Sequence, residues 1–249
     1  PEEVFTPDTA PARISPVREK YELLMQQGVN RLLAVRFNAK FAKQSADTFV
    51  HDLLVDKLGV KFLVVGDDFR FGNGREGDFA MLQAAGRKYG FDVVSTQSFT
   101  MHAHRISSTA VRDALADSDF ALANEMLGRP FAIHGRVVHG EKKGRTIGFP
   151  TANVMLKRCR TPIRGVFAVR VDVDGEHHIG VANIGTRPTL NGERNQLEVH
   201  IFDLDSNLYG KPITVFPIAK IREEIKFASF EALKDQIQAD AAQARLLLA

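Results

Sequence analysis

Between Gly144 and Asn153 the chain reads GRTIGFPTAN, with two glycines, a proline, two threonines and an asparagine in ten residues and GEKK just before them. Gly and Pro interrupt helices and central strands alike, so this composition predicts a loop. Gly144 and Gly148 let backbone N–H groups approach phosphate oxygens, Arg145 adds positive charge, and Thr151 and Asn153 offer oxygens suited to a hard cation such as Mg²⁺. That is the make-up of a nucleotide-phosphate cradle, although it lacks the GxxxxGK[ST] spacing of a P-loop. A hairpin loop stiffened by Pro150 has the same composition, and these ten residues alone do not separate the two readings.

Further along, LEVHIFD alternates apolar and polar side chains. Glu198 and His200 therefore share one face of a strand, and Leu197, Val199 and Ile201 take the other. A glutamate so placed can act as general base toward an alcohol, the nucleophile that phosphoryl transfer from ATP requires. Taken singly, it reads first as a solvent-facing strand carboxylate. The third grouping is RISSTAVR. Ser107, Ser108 and Thr109 fall where a helix is predicted to begin, so their hydroxyls and the first-turn N–H groups form an anion site, with Arg112 on the same face as Ser108. Capping by Ser107 or Ser108 alone accounts for the same residues. For an isolated SST capping is the simpler reading, and the position after a strand of a parallel sheet, where such sheets bind ligands, raises the case for the anion site.

The elements that must position these groups come in two textures. From Ser15 a helix ending at Gly28, the apolar run RLLAVRF, a helix from Ser45 to about Gly59, and KFLVVG follow one another. A glycine-rich loop, a helix from Asp78 to Gly90, the run FDVVSTQSF and a helical stretch from Ser108 toward Gly128 complete the series. Strand-length runs alternating with helices predict a parallel sheet covered by helices. Past Gly128, FAIHGRVVHG, GVFAVRVDV, HHIGVANIG, LEVHIFD and ITVFPIAKI read as strands, with Asp174-Gly175 as a hairpin turn. A last helix runs from about Ser229 to Leu248. The expected organisation is an α/β domain over residues 1–128 and a small antiparallel β-barrel with a C-terminal helix over 129–249.

Composition narrows the function classes. Of 249 residues, 44% are hydrophobic and 25% charged, which is ordinary for a globular protein. The net charge of +3 is too small and scattered to argue for nucleic acid. The lone Cys159 excludes an internal disulfide and a cysteine zinc site. No apolar run has the length of a membrane span. The expectation is a soluble, cytoplasmic protein without nucleic-acid or membrane partners.

GRTIGFPTAN, VANIGTRPT, LEVHIFD and IREEIKFASFEAL, in that order, resemble the riboflavin kinase module, and VGDDFRFGNGREGDF with RISSTAVR resembles the FMN adenylyltransferase module that precedes it in the bacterial bifunctional riboflavin kinase/FAD synthetase family. The likeness covers essentially the whole chain. It implies a Rossmann-like nucleotidyltransferase domain followed by a riboflavin kinase barrel, with riboflavin, FMN and ATP as ligands and Mg²⁺ as cofactor. By that resemblance Thr151 and Asn153 hold Mg²⁺ and the ATP phosphates, and Gly144, Arg145, Gly148 and Phe149 belong to a loop over nucleotide and flavin. Glu198 is the base on the terminal ribityl hydroxyl, Arg222 faces the flavin, and Asp68, Phe69, Phe71 and Asn73 line the flavin pocket of the second reaction. Ser107, Ser108, Thr109 and Arg112 meet phosphates there.

One departure from the pattern stands out. The family's adenylyltransferase module opens with a strand and a GxFDGxHxGH loop, and this chain has no HxGH, since Ala103 alone separates His102 from His104. PEEVF at positions 1–5 resembles the end of a segment that follows that first unit. The expectation is that the chain begins inside its first domain and that, as it stands, it does not make FAD efficiently. A flavin- or nucleotide-binding protein without catalysis is the second reading. A β-barrel RNA module is the third, ranked last because the chain has no Trp and three Tyr to stack bases.

Overall fold

The computed structural model describes residues 2–7, 9–96, 100–101, 104–139, 149–156, 160–189 and 192–249. They fall into two compact units, Pro1–Pro11 with Arg31–Ile106, and Ala12–Asn30 with Ser107–Ala249. In chain order the helices are α1 (Glu2–Phe5), α2 (Val17–Gln26), α3 (Ala39–Ala42), α4 (Ala46–Thr48), α5 (Phe79–Tyr89), α6 (Ser108–Ala116), α7 (Phe120–Leu127) and α8 (Phe230–Leu248), with a π-helical stretch over Phe49–Lys57 continuing α4. The strands are β1 (Phe62–Gly66), β2 (Asp92–Thr96), β3 (Thr100–Met101), β4 (His104–Arg105), β5 (Ile133–Val138), β6 (Ala152–Met155), β7 (Gly165–Val173), β8 (Glu176–Thr189), β9 (Gly192–Ile201) and β10 (Pro212–Arg222).

In the first unit β1 and β2 pair in parallel, from Phe62 opposite Asp92 to Gly66 opposite Thr96. The connection between them carries α5, as a parallel crossover requires. Local chemistry sets its ends: the Asp78 carboxylate accepts from the Met81 amide at 2.9 Å, and Gly90 closes the helix in the left-handed conformation. Ala46, Val50, Leu54, Phe71, Leu82 and Phe91 form the core. RLLAVRF does not become a strand. It joins no ladder, and Leu33 is 58% exposed. Apolar composition makes a strand only where a neighbouring strand supplies hydrogen bonds, and among the described residues β1 and β2 pair only with each other.

The second unit is a closed antiparallel barrel in the order β10-β5-β6-β9-β8-β7. Its interior is filled by inward-facing residues of every strand, among them Ile133, Val154, Phe167, Ile184, Leu197 and Val215. The β7–β8 hairpin turns at Asp174 (φ 53°) and Gly175 (φ 89°), the double positive φ that a two-residue turn of the right twist needs. Two readings of the sequence change here. The predicted helix from Ser108 toward Gly128 is two helices, because Ser118 takes a positive φ and the Asp119 carboxylate caps a new start by accepting from the Leu122 amide at 3.0 Å. The loop predicted over 144–153 ends earlier, since Ala152 and Asn153 already belong to β6, where Val154 packs into the barrel core.

α8 closes one side of the barrel from outside. Ala241, Ala244 and Leu248 pack on Val166, Ala168, Val181 and Phe202. A buried ion pair fixes the register of this packing. The Arg222 guanidinium, at the end of β10, donates to both oxygens of Asp240 at 2.7 to 3.0 Å, and Gln236 donates to the same carboxylate at 2.9 Å. Five residues further along the helix, Arg245 lies 4.2 Å from the Phe202 ring centroid and bonds Asp203, whose carboxyl is held below its ordinary pKa by that hydrogen bond. Asp240 is 3% exposed, so removing it strands a largely buried guanidinium. Asp240→Ala is therefore expected to destabilise this unit by about 3 kcal/mol in chemical denaturation; a change below about 0.5 kcal/mol would show that the pair does not hold the helix.

Candidate active site

Because β9 is part of a closed barrel, its alternation decides which side chains meet solvent. Leu197, Val199 and Ile201 point into the core, so Glu198 and His200 are on the outer face. The register then collects polar groups from three strands. Asn153 of β6 and Asn183 of β8 each stand directly opposite Glu198. Gln196, two residues before Glu198 and on the same face, donates from Nε2 to Asn153 Oδ1 at 2.7 Å and to Glu198 Oε1 at 2.6 Å. The Oδ1 of Asn183 is buried with no hydrogen-bond partner among the described residues. Gly185 lies opposite Gln196, and the Glu224 carboxylate occupies the space a Cβ at 185 would fill.

The strip continues to His200, which anchors the chain entering β6. Its Nδ1 lies 2.9 Å from the Pro150 carbonyl oxygen, and its ring meets Phe149 edge-on at 5.1 Å and Phe202 at 5.5 Å. Phe149 in turn packs against the α8 seam. Beside Thr151 opens a cleft lined also by Val137, Val199, Leu204, Asn207 and Tyr209. Tyr209 stacks on His139 with centroids 3.9 Å apart and planes 29° from parallel. Thr151, Asn153 and Glu198 thus belong to one region, while Gly144, Arg145, Gly148 and Cys159 lie outside the described residues. Arg222 is engaged by Asp240, with its Nη1 on the Glu223 carbonyl and its guanidinium 5.7 Å from the Phe227 ring centroid.

The residues expected to serve the second reaction fall in both compact units. In the first, Asp68 is exposed and pairs with Arg105 at 3.1 Å. Phe69 stacks on Phe71 at 5.6 Å, and Phe71 is itself core. Asn73 is exposed and donates its amide to the Gln44 carbonyl. A run of edge-on or tilted phenylalanine contacts continues from Phe71 through Phe49, Phe41 and Phe37 to Phe5. In the second unit, the Ser107 hydroxyl caps α6 by accepting from the Ala110 amide at 3.2 Å. Arg112 donates to the Ala12 carbonyl at 2.6 Å and the Ser108 carbonyl at 3.0 Å. Ser108 and Thr109 are exposed at the helix start.

Comparison with known proteins finds two family patterns in the chain. The riboflavin kinase family pattern matches residues 127–248, and the FAD synthetase family pattern matches residues 1–110. The bifunctional riboflavin kinase/FMN adenylyltransferase of Escherichia coli K12 is 58% identical over 98% of this chain and 79% of its own length. Those of Haemophilus influenzae and Pseudomonas fluorescens are 51% and 52% identical. The chain belongs to this family. It is accordingly a member of a family of flavin-biosynthetic enzymes with ATP-dependent chemistry, built from a parallel-sheet part and a barrel with a C-terminal helix. A solved structure of a macrolide-efflux protein from Streptococcus pneumoniae is also similar, at 32% identity and a TM-score of 0.75 over 93% of this chain and 75% of that one. No described helix of the present chain is long and apolar enough to cross a membrane.

Sequence reasoning passed over Gln196, Asn183 and Tyr209. For Gln196 a signal existed, because the alternation that pairs Glu198 with His200 also puts Gln196 on their face. Asn183 needed the register of β8 against β9, and Tyr209 needed the barrel to bring residues 137, 151 and 209 around one cleft. Neither is local information.

Proposed function

We propose that the barrel phosphorylates riboflavin to FMN with ATP, and that Glu198 is the general base for the ribityl terminal hydroxyl. What supports this reading is Asn153 standing directly opposite Glu198 on the outer face of the barrel, two residues after Thr151, which lines a cleft. In this reading the adenine enters the cleft next to the Tyr209–His139 stack, the phosphates lie toward Thr151, and the flavin lies toward Phe149 and Arg222. The terminal hydroxyl oxygen attacks the γ-phosphorus as its proton passes to the Glu198 carboxylate, and the bond from that phosphorus to the β-phosphate oxygen breaks to release ADP. The Thr151 hydroxyl and the Asn153 carbonyl are oxygen donors, which fits Mg²⁺, and they are the residues that would hold it. Bound with ATP, Mg²⁺ supplies neutralisation of phosphate charge.

FMN adenylylation to FAD belongs in this proposal to the N-terminal part of the chain, which as it stands is not an efficient FAD synthetase; Asp68, Phe69, Phe71 and Asn73 of the first unit are the residues assigned to flavin, and Ser107, Ser108, Thr109 and Arg112 of the second unit those assigned to phosphate. The domain division at residue 128 and a cytoplasmic setting without nucleic-acid or membrane partners belong to the same proposal.

Two substitutions test the kinase site. A general base acts in the transition state, so Glu198→Gln is expected to lower kcat by about 10²- to 10⁴-fold while riboflavin binding, followed by flavin fluorescence, stays within about twofold. An unchanged kcat would return Glu198 to an ordinary strand carboxylate. Thr151→Ala is expected to raise the Mg²⁺ and ATP concentrations needed for half-maximal rate together, since cation and phosphates bind as one unit. Weakened riboflavin binding with an unaltered ATP requirement would contradict the assignment.

A further inference from the structure

Gln196 has no part in the reading just given, yet its amide is the group that joins the proposed base to its neighbour. An amide nitrogen carries two hydrogens in one plane. Here Nε2 contacts Glu198 Oε1 at 2.6 Å and Asn153 Oδ1 at 2.7 Å, so both hydrogens are directed at oxygens of the strip. Gln196 and Glu198 are two apart on β9, and Asn153 faces Glu198 from β6. One side chain therefore links two strands and holds the carboxylate against the asparagine. Across the ladder from Gln196, Gly185 has no side chain, and the Glu224 carboxylate fills the space a Cβ there would take. Both partners of the amide nitrogen are oxygen acceptors, so an acceptor in its place would leave acceptors face to face.

We propose that Gln196 is a positioning residue for the phosphoryl transfer, fixing the Glu198 carboxylate in the rotamer from which it takes the hydroxyl proton. A base must lie within hydrogen-bond reach of the proton it removes, and a glutamate side chain has three torsions to restrict before it does so. Gln196 restricts them through its hydrogen bond to Glu198 Oε1. Its effect belongs to the transition state, so its loss lowers turnover more than substrate binding.

This inference rests on Glu198 being the base, and a double-mutant cycle separates the two claims. The chain, Gln196→Met, Glu198→Gln and the double variant are compared by kcat, by the KM for riboflavin, by flavin-fluorescence titration and by thermal melting. Gln196→Met is expected to lower kcat by about tenfold with KM and riboflavin affinity within about twofold, and to cost nothing further once Glu198 is already Gln. An equal cost in both backgrounds, or a change confined to KM, would overturn the positioning role while leaving the base intact. Full turnover by Glu198→Gln would remove the base reading and this inference with it. Should Gln196→Met fail to fold, Gln196→Glu keeps the shape of the side chain while replacing the donor with a carboxylate, and the same non-additivity is expected of it.

Discussion

Closure of the barrel is the constraint on which the rest of the second unit depends. Once β10 and β7 pair and no edge is left, every strand has one face sealed inside, and period-two alternation forces its other residues outward. Leu197, Val199 and Ile201 cannot be buried unless Glu198 and His200 are displayed. The neighbours of Glu198 follow from the ladder, because the pairing that buries Val154 beside Leu197 also sets Asn153 beside Glu198. Core packing and the polar strip are two consequences of one register. A slip of one residue in β6 would send Asn153 inward and Val154 out.

The outer face is partitioned by α8. Its apolar seam covers Val166, Ala168 and Val181, and the polar strip of Asn183, Glu198, Asn153 and Gln196 lies outside that seam. The Arg222–Asp240 pair joins the helix to the end of β10, just ahead of Glu223 and Glu224. A buried ion pair is a modest source of net stability, but it discriminates strongly against misplacement, since any other register of the helix leaves both charges unpaired. In the proposed kinase, that pair supports the side of the strip where Glu224 lies over Gly185.

What could be read from the sequence was what local chemistry decides. The Asp174-Gly175 turn, the Asp78, Ser45 and Ser229 helix starts, and the shared face of Glu198 and His200 all depend on residues within a few positions of one another. β6 was hidden because it is four residues long and follows Gly148 and Pro150, which signal a loop. Glu198 is bonded by Gln196 two positions away, which also bonds Asn153, 43 positions from Gln196, and the hold of Asp240 on Arg222 crosses from strand to helix. RLLAVRF shows the opposite failure, where the apolar pattern was clear and no strand formed because no ladder receives it. Arg112 shows how a side chain legible as an anion ligand is also a backbone tie, through the carbonyls of Ala12 and Ser108.

The kinase reading can be tested most directly by following flavins and nucleotides chromatographically while the folded chain is incubated with riboflavin, ATP and Mg²⁺. The account predicts that FMN accumulates with one ADP formed per FMN. A folded protein that binds riboflavin and ATP yet forms no FMN would contradict it.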